Sequence, residues 1–288
     1  MKIAIMGTGL MGTALAEAML KSGHEVIVYN RTIPRTVPLV AMGATLARTP
    51  AEAISTADVS IIVLPDAGSV RELVLSEDVR GVLQGKRLLN ASTTKPDEII
   101  EIARLVAKEG GKLAEVSIMI GADELRDCKG QFILGCDSSD ESFFSDLLKS
   151  TAKRIDRAGD VGDASKAEVP ILIASVFGVV TAAYAAAAAI KLNVPKEISQ
   201  HYIPMSVPHS EYLLPNLLSR NYDSCMASID NFSVVSENAI SAAISAGLPT
   251  TILESIDRLF TLAAVHGFGK KDGTAINEIL LEPKKFNA

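Results

Sequence analysis

The sequence predicts an α/β fold with a doubly wound sheet in its first half, followed by an all-α domain that is built on a long interdomain helix. Three observations support this prediction. Short apolar runs alternate with helical patterns up to residue 159, strand-like runs then disappear, and the 22 residues Val169–Ile190 carry no charge. Continuous short apolar runs are typical of parallel strands that are buried on both faces.

The first element is a short apolar strand that leads directly into a glycine-rich loop. Residues 2–12 read Lys-Ile-Ala-Ile-Met-Gly-Thr-Gly-Leu-Met-Gly, and a helical pattern follows from Met11 to Ser22. Gly7 permits a tight turn, Gly9 lets the backbone approach a pyrophosphate, and Gly12 lets the helix pack closely. Strand, loop and helix in this order predict a Rossmann dinucleotide site, with the pyrophosphate on the amides of the helix N-terminus.

The second strand ends without the acidic residue that usually binds the ribose 2′-hydroxyl of NAD. Asn30 occupies that position, Arg31 and Thr32 follow it, and Arg35 lies close by in the sequence. A carboxylate would repel a 2′-phosphate, whereas guanidinium groups bind it through charge-assisted hydrogen bonds. The pattern therefore predicts NADP(H), the alternative being that both arginines are ordinary solvated charges.

The remaining elements follow the same alternation and then change to helices alone. Predicted strands are Val59–Leu64, Arg87–Ala91, Lys112–Val116 and Gln131–Gly135, and predicted helices are Pro50–Thr56, Ser69–Leu75, Pro96–Lys108 and Glu141–Ser150. After residues 159–162, helical patterns cover about 163–192, 209–219, 224–246 and 250–266. We predict an NADP-binding Rossmann domain over 1–160 and a helical dimerisation and substrate domain over 161–288.

Composition and charge exclude several classes of protein. A net charge of −6 argues against nucleic acid or an anionic membrane surface as the main partner. Three distant cysteines without a C-x-x-C motif predict a reducing, cytoplasmic environment, and four scattered histidines predict no metal site. The N-terminus lacks the apolar stretch of a signal peptide. A small-molecule substrate is the expected partner.

The uncharged stretch Val169–Ile190 is long enough to span a bilayer. It is rich in alanine, is interrupted by Pro170 and Gly178, and has no cluster of positive charge at its ends. A helix that is apolar on every side is also typical of the centre of a large soluble core. We therefore predict a buried helix that is partly wrapped by a second copy of the chain in a homodimer.

These motifs resemble those of the β-hydroxyacid dehydrogenases and the related imine reductases, the 6-phosphogluconate dehydrogenase-like superfamily. The resemblance rests on the glycine motif, Asn30-Arg31-Thr32, Leu64-Pro65-Asp66, Asn90-Ala91-Ser92-Thr93, Gly159-x-x-Gly162 and the ending His266-Gly267-Phe268-Gly269-Lys270-Lys271-Asp272. It implies interlocked helical domains in a dimer, with an active site between the cofactor and both helical domains. With the arguments above, it predicts a cofactor site made of Gly7, Gly9, Leu10, Met11, Gly12, Asn30, Arg31, Thr32, Arg35, Leu64, Pro65, Ser92 and Thr93.

Two departures from the family pattern favour the imine reductase branch. The catalytic lysine of the hydroxyacid dehydrogenases, on the long helix, is matched here by Glu168. Their Ser-Gly-Gly turn, which binds the substrate carboxylate, is matched by Ser117-Ile118-Met119-Ile120-Gly121. An apolar Ile-Met in this turn and an acid at the lysine position resemble the imine reductases.

Glu168 is the first candidate catalytic residue, because a carboxyl group can protonate an imine and then stabilise the resulting cation. The alternatives are Lys166, which lies elsewhere around the helix, and Tyr212. Glu168 could equally be an exposed acid in the first helical turn, and Asp163 is suited to be the N-cap of that helix. The predicted substrate pocket consists of Ser117, Met119, Phe177 and His209, each of which could instead belong to the core or its rim.

Three functions fit the glycine fingerprint equally well. The leading hypothesis is an NADPH-dependent imine reductase. The second is a β-hydroxyacid dehydrogenase or a short-chain aldehyde-acid reductase, whose base has moved to Lys166 or a histidine. The third is a non-catalytic, NADP-binding regulatory protein that has lost the lysine.

Overall fold

A computed structural model describes residues 1–207 and 210–286 of the chain. The chain forms two compact units, Met1–Glu168 and Val169–Ala288. The first unit includes the start of the long helix, where the backbone amides of Gly162 and Ala164 donate hydrogen bonds to the Glu115 side chain. The predicted boundary between the domains stays a prediction.

Within the described residues, the first unit contains one sheet of eight strands. The strands are β1 (Lys2–Met6), β2 (Glu25–Tyr29), β3 (Thr45–Leu46), β4 (Val59–Ile62), β5 (Arg87–Asn90), β6 (Lys112–Ile118), β7 (Gly130–Gly135) and β8 (Ala152–Gly159). Their order is β3-β2-β1-β4-β5-β6-β7-β8, and every neighbouring pair is parallel except β6 and β7. The predicted doubly wound sheet is confirmed, and its direction of winding reverses between β1 and β4, where such folds bind ligands.

Helices cover both faces of this sheet. They are α1 (Leu10–Lys21), α2 (Val37–Ala41), α3 (Pro50–Thr56), α4 (Ala67–Leu75), α5 (Glu77–Arg80), α6 (Pro96–Lys108), α7 (Ala122–Arg126), α8 (Glu141–Lys149) and the start of α9 (Asp163–Lys191). Side chains of β1 alternate between the faces: Ile3 and Ile5 pack in a core cluster with residues of α1, whereas Met6 packs with residues of α4 and α6. Burial on both faces explains why these strands are apolar runs.

Two strands of the sheet, the two-residue β3 and the longer β8, have no counterpart among the predicted strands. β8 reads Ala-Lys-Arg-Ile-Asp-Arg-Ala-Gly, and most of its side chains are exposed. It is an edge strand, and charged side chains on an edge strand oppose pairing with other chains. The same charges remove the apolar run by which the interior strands are recognised.

The second unit consists of helices, as predicted. After α9 they are α10 (Lys196–Ser206), α11 (Leu214–Ser219), α12 (Ile229–Ser245), α13 (Thr251–Ala263), α14 (Ile276–Leu281) and α15 (Pro283–Phe286). Its core combines small residues of α9, such as Ala182 and Ala186, with the fully buried Phe260, whose ring stacks on that of Phe232 with centroids 5.1 Å apart. The helices α10, α14 and α15 were not predicted.

The long helix α9 is buried on one side only within the single chain. It is long and apolar enough to cross a membrane, and 39% of its most apolar window is buried. Six of its exposed positions recur at alternating spacings of four and three. We term them the α9 stripe, which consists of Pro170, Ala174, Phe177, Thr181, Tyr184 and Ala188. The helices of one chain therefore cover a single face of α9, and the covering of its other face by a second copy stays a prediction.

Candidate functional site

The glycine loop after β1 lies where the winding of the sheet reverses, and its three glycines meet different constraints. Gly7 has φ +103°, and a Cβ there would lie 2.0 Å from the carbonyl oxygen of Val63. A Cβ on Gly12 would lie 2.0 Å from the carbonyl oxygen of Gly7. A Cβ on Gly9 would meet no atom within 4 Å. Gly7 and Gly12 are thus required by close packing, while Gly9 borders open space.

This open space lies at the N-terminus of α1. Gly9 is the N-cap residue, no side chain caps this end of the helix, and its first turn holds no acidic residue. The first amides of a helix have no partner within the helix, and together with the helix dipole they form an anion site. The loop and the helix end therefore fit the pyrophosphate of a dinucleotide, and a side chain at position 9 would fill that cradle. Leu10 is exposed beside it.

Asn30 connects the glycine loop to the segment that follows β2. Its Oδ1 accepts a hydrogen bond of 3.3 Å from the backbone N–H of Thr8, and its Nδ2 donates one of 3.0 Å to the carbonyl of Thr32. Arg31 and Arg35 are both exposed in this segment. Two guanidinium groups are thus presented at the carboxyl end of β2, and Asn30 fixes the backbone that carries them.

The loops after β4 and β5 are tied to each other through Ser92. Its Oγ accepts a hydrogen bond of 2.8 Å from the backbone N–H of Leu64, and the Asn90 side chain bonds both backbone groups of Ser92. The hydroxyl of Ser92 therefore positions Leu64, and Pro65 is exposed next to it while Thr93 is half-buried. These four residues lie at the carboxyl edge of the sheet, where Ser92 links the two loops.

A buried acid that the sequence analysis did not select, Glu115, caps the N-terminus of α9. Its Oε1 accepts backbone hydrogen bonds from Gly162, Ala164 and Ser165 at 2.6, 3.0 and 3.3 Å. Its Oε2 accepts one from the Ser165 hydroxyl. Burial raises the pKa of Glu115, and these four hydrogen bonds oppose that rise. An acid inside the apolar strand β6 was the available signal, since a buried carboxyl group needs partners.

Asp163 does not have the capping role that the sequence suggested. Its carboxylate accepts hydrogen bonds from the backbone N–H of Asp160 at 2.9 Å and from the ammonium of Lys166 at 2.8 Å. It therefore closes the turn that precedes α9, while the free amides of the helix are bound by Glu115. The cap comes from β6, 47 positions before Gly162, and the local sequence gives no sign of it.

Glu168 is buried and not an exposed acid of the first helical turn. Its side chain accepts a hydrogen bond of 2.7 Å from the hydroxyl of Ser117. Residues 115 and 117 are two positions apart on β6, so their side chains lie on the same side of the sheet. Burial raises the pKa of Glu168, the hydrogen bond from Ser117 lowers it, and the nearby charge of Glu115 raises it further. The result is a carboxyl group that keeps its proton to higher pH than an ordinary glutamate.

Within the first unit, the alternative catalytic candidate Lys166 makes its ion pair with Asp163 and not with Glu168. Lys166 is exposed and paired with Asp163, which raises its pKa and makes it a poor base. Met119 is half-buried just beyond β6. In the second unit, Phe177 lies on the α9 stripe and Tyr212 is 69% exposed. His209 lies outside the described residues.

A doubly wound sheet with an open glycine cradle at the point of reversal defines a dinucleotide-binding protein. The family described as the NAD binding domain of 6-phosphogluconate dehydrogenase matches residues 2–159, more than half of the chain. The chain belongs to this family, which is one of NAD(P)-dependent oxidoreductases and confirms the resemblance found in the sequence.

Similar proteins cover different parts of the chain. The cytokine-like nuclear factor N-PAC of Homo sapiens is 32% identical over 170 residues, which are 57% of this chain and 30% of that protein. The chain thus spans less than a third of the length of this curated relative. A 3-hydroxyisobutyrate dehydrogenase from Salmonella typhimurium has a TM-score of 0.87 at 21% identity, covering 96% of this chain and 99% of its own. An imine reductase from Myxococcus stipitatus in complex with NADP+ has a TM-score of 0.67 at 21% identity, covering 97% and 100%. These structures confirm the fold.

Replacing Gly9 and Gly12 with alanine separates ligand binding from stability. Gly12→Ala places its Cβ on the Gly7 carbonyl and is expected to lower the free energy of unfolding by about 1–3 kcal/mol or more. Gly9→Ala meets open space, so we expect about 1 kcal/mol or less but a loss of at least tenfold in dinucleotide affinity. Chemical denaturation and a fluorescence titration with NADPH measure the two effects. Unchanged NADPH affinity in Gly9→Ala would contradict the proposed cradle.

Proposed function

We propose that the protein is an NADPH-dependent reductase of C=N bonds, with Glu168 as the proton donor. The buried Glu168 carboxyl group, hydrogen-bonded to Ser117, is the single observation that carries this proposal. An imine accepts a hydride readily once its nitrogen is protonated, so the site must supply a proton. A group whose pKa lies near the working pH transfers a proton most effectively, and burial moves the pKa of Glu168 in that direction.

The charge of Glu168 also favours an imine over a hydroxyacid. After proton transfer the carboxylate faces an iminium cation, and two opposite unit charges about 4 Å apart interact by about 4 kcal/mol at an effective dielectric constant near 20. A substrate carboxylate would instead be repelled. The hydroxyl of Ser117, at the position that binds such a carboxylate in the resembling dehydrogenases, donates its hydrogen bond to Glu168.

The residues of the first unit fit NADP(H) as the reductant. The amides at the N-terminus of α1 would hold the pyrophosphate, and Arg31 and Arg35 would hold the 2′-phosphate. When bound, the nicotinamide supplies the hydride. The chain supplies the proton from Glu168, and the tie between Ser92 and Leu64 fixes the two loops that follow β4 and β5.

We further propose that the α9 stripe is covered by a second copy of the chain. Phe177 and Tyr184 of the stripe are 36% and 55% exposed, although both side chains are largely apolar. Exposed positions that alternate by four and three are typical of a helix that packs along another helix. A contiguous apolar face of this length is uncommon on a monomeric soluble protein.

Glu168→Gln removes the proton donor and keeps the shape of the side chain. With a cyclic imine and NADPH we expect kcat to fall by about 10²–10⁴-fold, while the dissociation constant of NADPH stays the same. In the unsubstituted protein, kcat should fall as the pH rises through the raised pKa of Glu168, since only the protonated form donates. Initial rates over a pH series measure both effects.

Lys166→Ala is the matched control, because Lys166 lies on the same helix but is exposed. We expect its rates to stay within a factor of two or so of the unsubstituted protein, since exposed ion pairs contribute little. Full activity in Glu168→Gln together with loss of activity in Lys166→Ala would reject Glu168 as the proton donor. It would favour the dehydrogenase hypothesis, in which Lys166 is the base. A panel of imines and carbonyls that is not turned over at all would favour a non-catalytic binding protein.

Arg31→Ala tests the choice of cofactor. Loss of a charge-assisted hydrogen bond to a phosphate costs about 1.5–3 kcal/mol, so the dissociation constant of NADPH should rise by roughly 10–150-fold while that of NADH changes little. Isothermal titration with both cofactors measures the difference. Equal effects on NADPH and NADH would exclude a 2′-phosphate contact at Arg31.

Tyr184→Glu places a charge in the middle of the α9 stripe. We expect this variant to sediment as a monomer of 30.5 kDa, and the unsubstituted protein to sediment at twice that mass. Ser245→Glu, at an exposed position of α12, is the control and should leave the mass unchanged. A monomeric unsubstituted protein would contradict the dimer.

A further inference from the structure

The proposed chemistry makes no use of the second buried acid in the first unit, Glu115. This side chain is 2% exposed, and its carboxyl group is surrounded by donors from the start of α9. A buried acid with this many partners determines where a helix lies and contributes a charge to its surroundings. The position of the helix and the charge of Glu115 both affect Glu168, which lies further along the same helix.

We propose that Glu115 is a positioning residue for Glu168: it fixes the first turn of α9 against β6, and it ionises before Glu168, so that Glu168 is the acid that holds the proton. This inference rests on the proposed role of Glu168 as proton donor. It assigns to Glu115 no contact with the substrate or the cofactor.

The hydrogen bonds of the two acids decide which one ionises first. Three backbone N–H groups and the Ser165 hydroxyl donate to Glu115, whereas Glu168 receives one hydrogen bond, from Ser117. Each such bond favours the charged form of a carboxyl group. The N-terminus of a helix also attracts an anion, and this attraction is weak beyond the first turn. Glu168 lies beyond the first turn of α9. Ionised Glu115 then disfavours a second negative charge close by, which keeps the proton on Glu168.

The backbone around Glu115 leaves room for this carboxyl group and little else. Glu115 lies opposite Gly135 on β7, and a Cβ on Gly135 would come within 2.7 Å of Oε1 of Glu115. Gly162 has φ +101°, and a Cβ there would lie 2.6 Å from the side chain of Ile100. Gly135 thus leaves room for the Glu115 side chain, and Gly162 lets the turn before α9 pack against α6. The place of Glu115 is therefore determined by packing against β7 as well as by hydrogen bonds.

Other charged groups around the pair are exposed or neutralised by partners. From the β8 side, Arg157 contacts Asp160 at 3.4 Å and Glu141 of α8 at 3.2 Å. On the outer face of α9, Lys166 pairs with Asp163 at 2.8 Å. Solvent screens charges in such positions. Burial is the first cause that raises the pKa of Glu168, and the charge of Glu115 adds to it. The proposal depends on the placement of the two buried acids, which the hydrogen bonds to Ser117 and to the start of α9 determine.

Carboxyl titration by NMR tests the order of ionisation directly. The full chain is labelled with ¹³C at the glutamate side-chain carboxyl carbons, and the signals of both residues are followed over a pH series. We expect Glu115 to titrate below Glu168 in the unsubstituted protein. In Glu115→Gln, which keeps an acceptor for the helix amides but has no charge, the titration midpoint of Glu168 should fall by about one pH unit or more.

Asp163→Asn is the matched control, since it removes a carboxylate from the same helix end at a partly exposed position. Its effect on the Glu168 midpoint should stay within a few tenths of a pH unit. If Glu115→Gln does not fold, Ser165→Ala removes one donor from Glu115 and should raise the midpoint of Glu115 alone. A Glu115 that titrates above Glu168 in the unsubstituted protein, or a Glu168 midpoint that Glu115→Gln leaves unchanged, overturns the proposal.

The rate profile separates this inference from the proposed function. If Glu168 donates the proton, the pH at which kcat for imine reduction declines should move down in Glu115→Gln by the same amount as the NMR midpoint. An NMR shift without imine reduction by any form of the protein would reject the proposed function and leave the positioning role intact. Imine reduction with an unmoved NMR midpoint and an unmoved rate profile would reject the positioning role alone.

Discussion

The free amides at the start of α9 impose the constraint on which the candidate active site depends. A helix end that is buried must find acceptors for these groups, and here a carboxyl group from the middle of β6 provides them. Because side chains alternate along a strand, Ser117 faces the same helix as Glu115 and meets Glu168 further along it. The cap and the candidate proton donor are consequences of one alignment of strand and helix.

The N-termini of α9 and α1 differ in whether the chain itself supplies acceptors for their free amides. At α9 the amides are occupied by an internal acid and contribute to stability. At α1 they remain open beside Gly9, where the absence of a side chain leaves space for a ligand. A protein that binds an anionic cofactor needs one helix end without an internal partner, and the structure keeps that end at the point where the winding of the sheet reverses.

Much of the fold could be predicted because its signals are local. Strands that are buried on both faces appear as apolar runs, and helices such as Pro50–Thr56 and Pro96–Lys108 begin and end where the sequence predicts. The edge strand β8 was missed because an exposed edge carries charges and has no apolar run. The sequence did not show which face of α9 the same chain covers, since composition shows only that the helix is apolar.

By itself, the sequence determined the doubly wound sheet and the glycine loop, because each depends on residues that are close together in the chain. Only the tertiary structure decided that Glu168 is buried and hydrogen-bonded to Ser117, and that the Ser92 hydroxyl binds the backbone N–H of Leu64. It also decided that Glu115 rather than Asp163 caps α9. These contacts join residues that are between 28 and 51 positions apart. Whether an acid is exposed or buried, and hence whether it holds a proton, follows from such distant neighbours and not from its own segment.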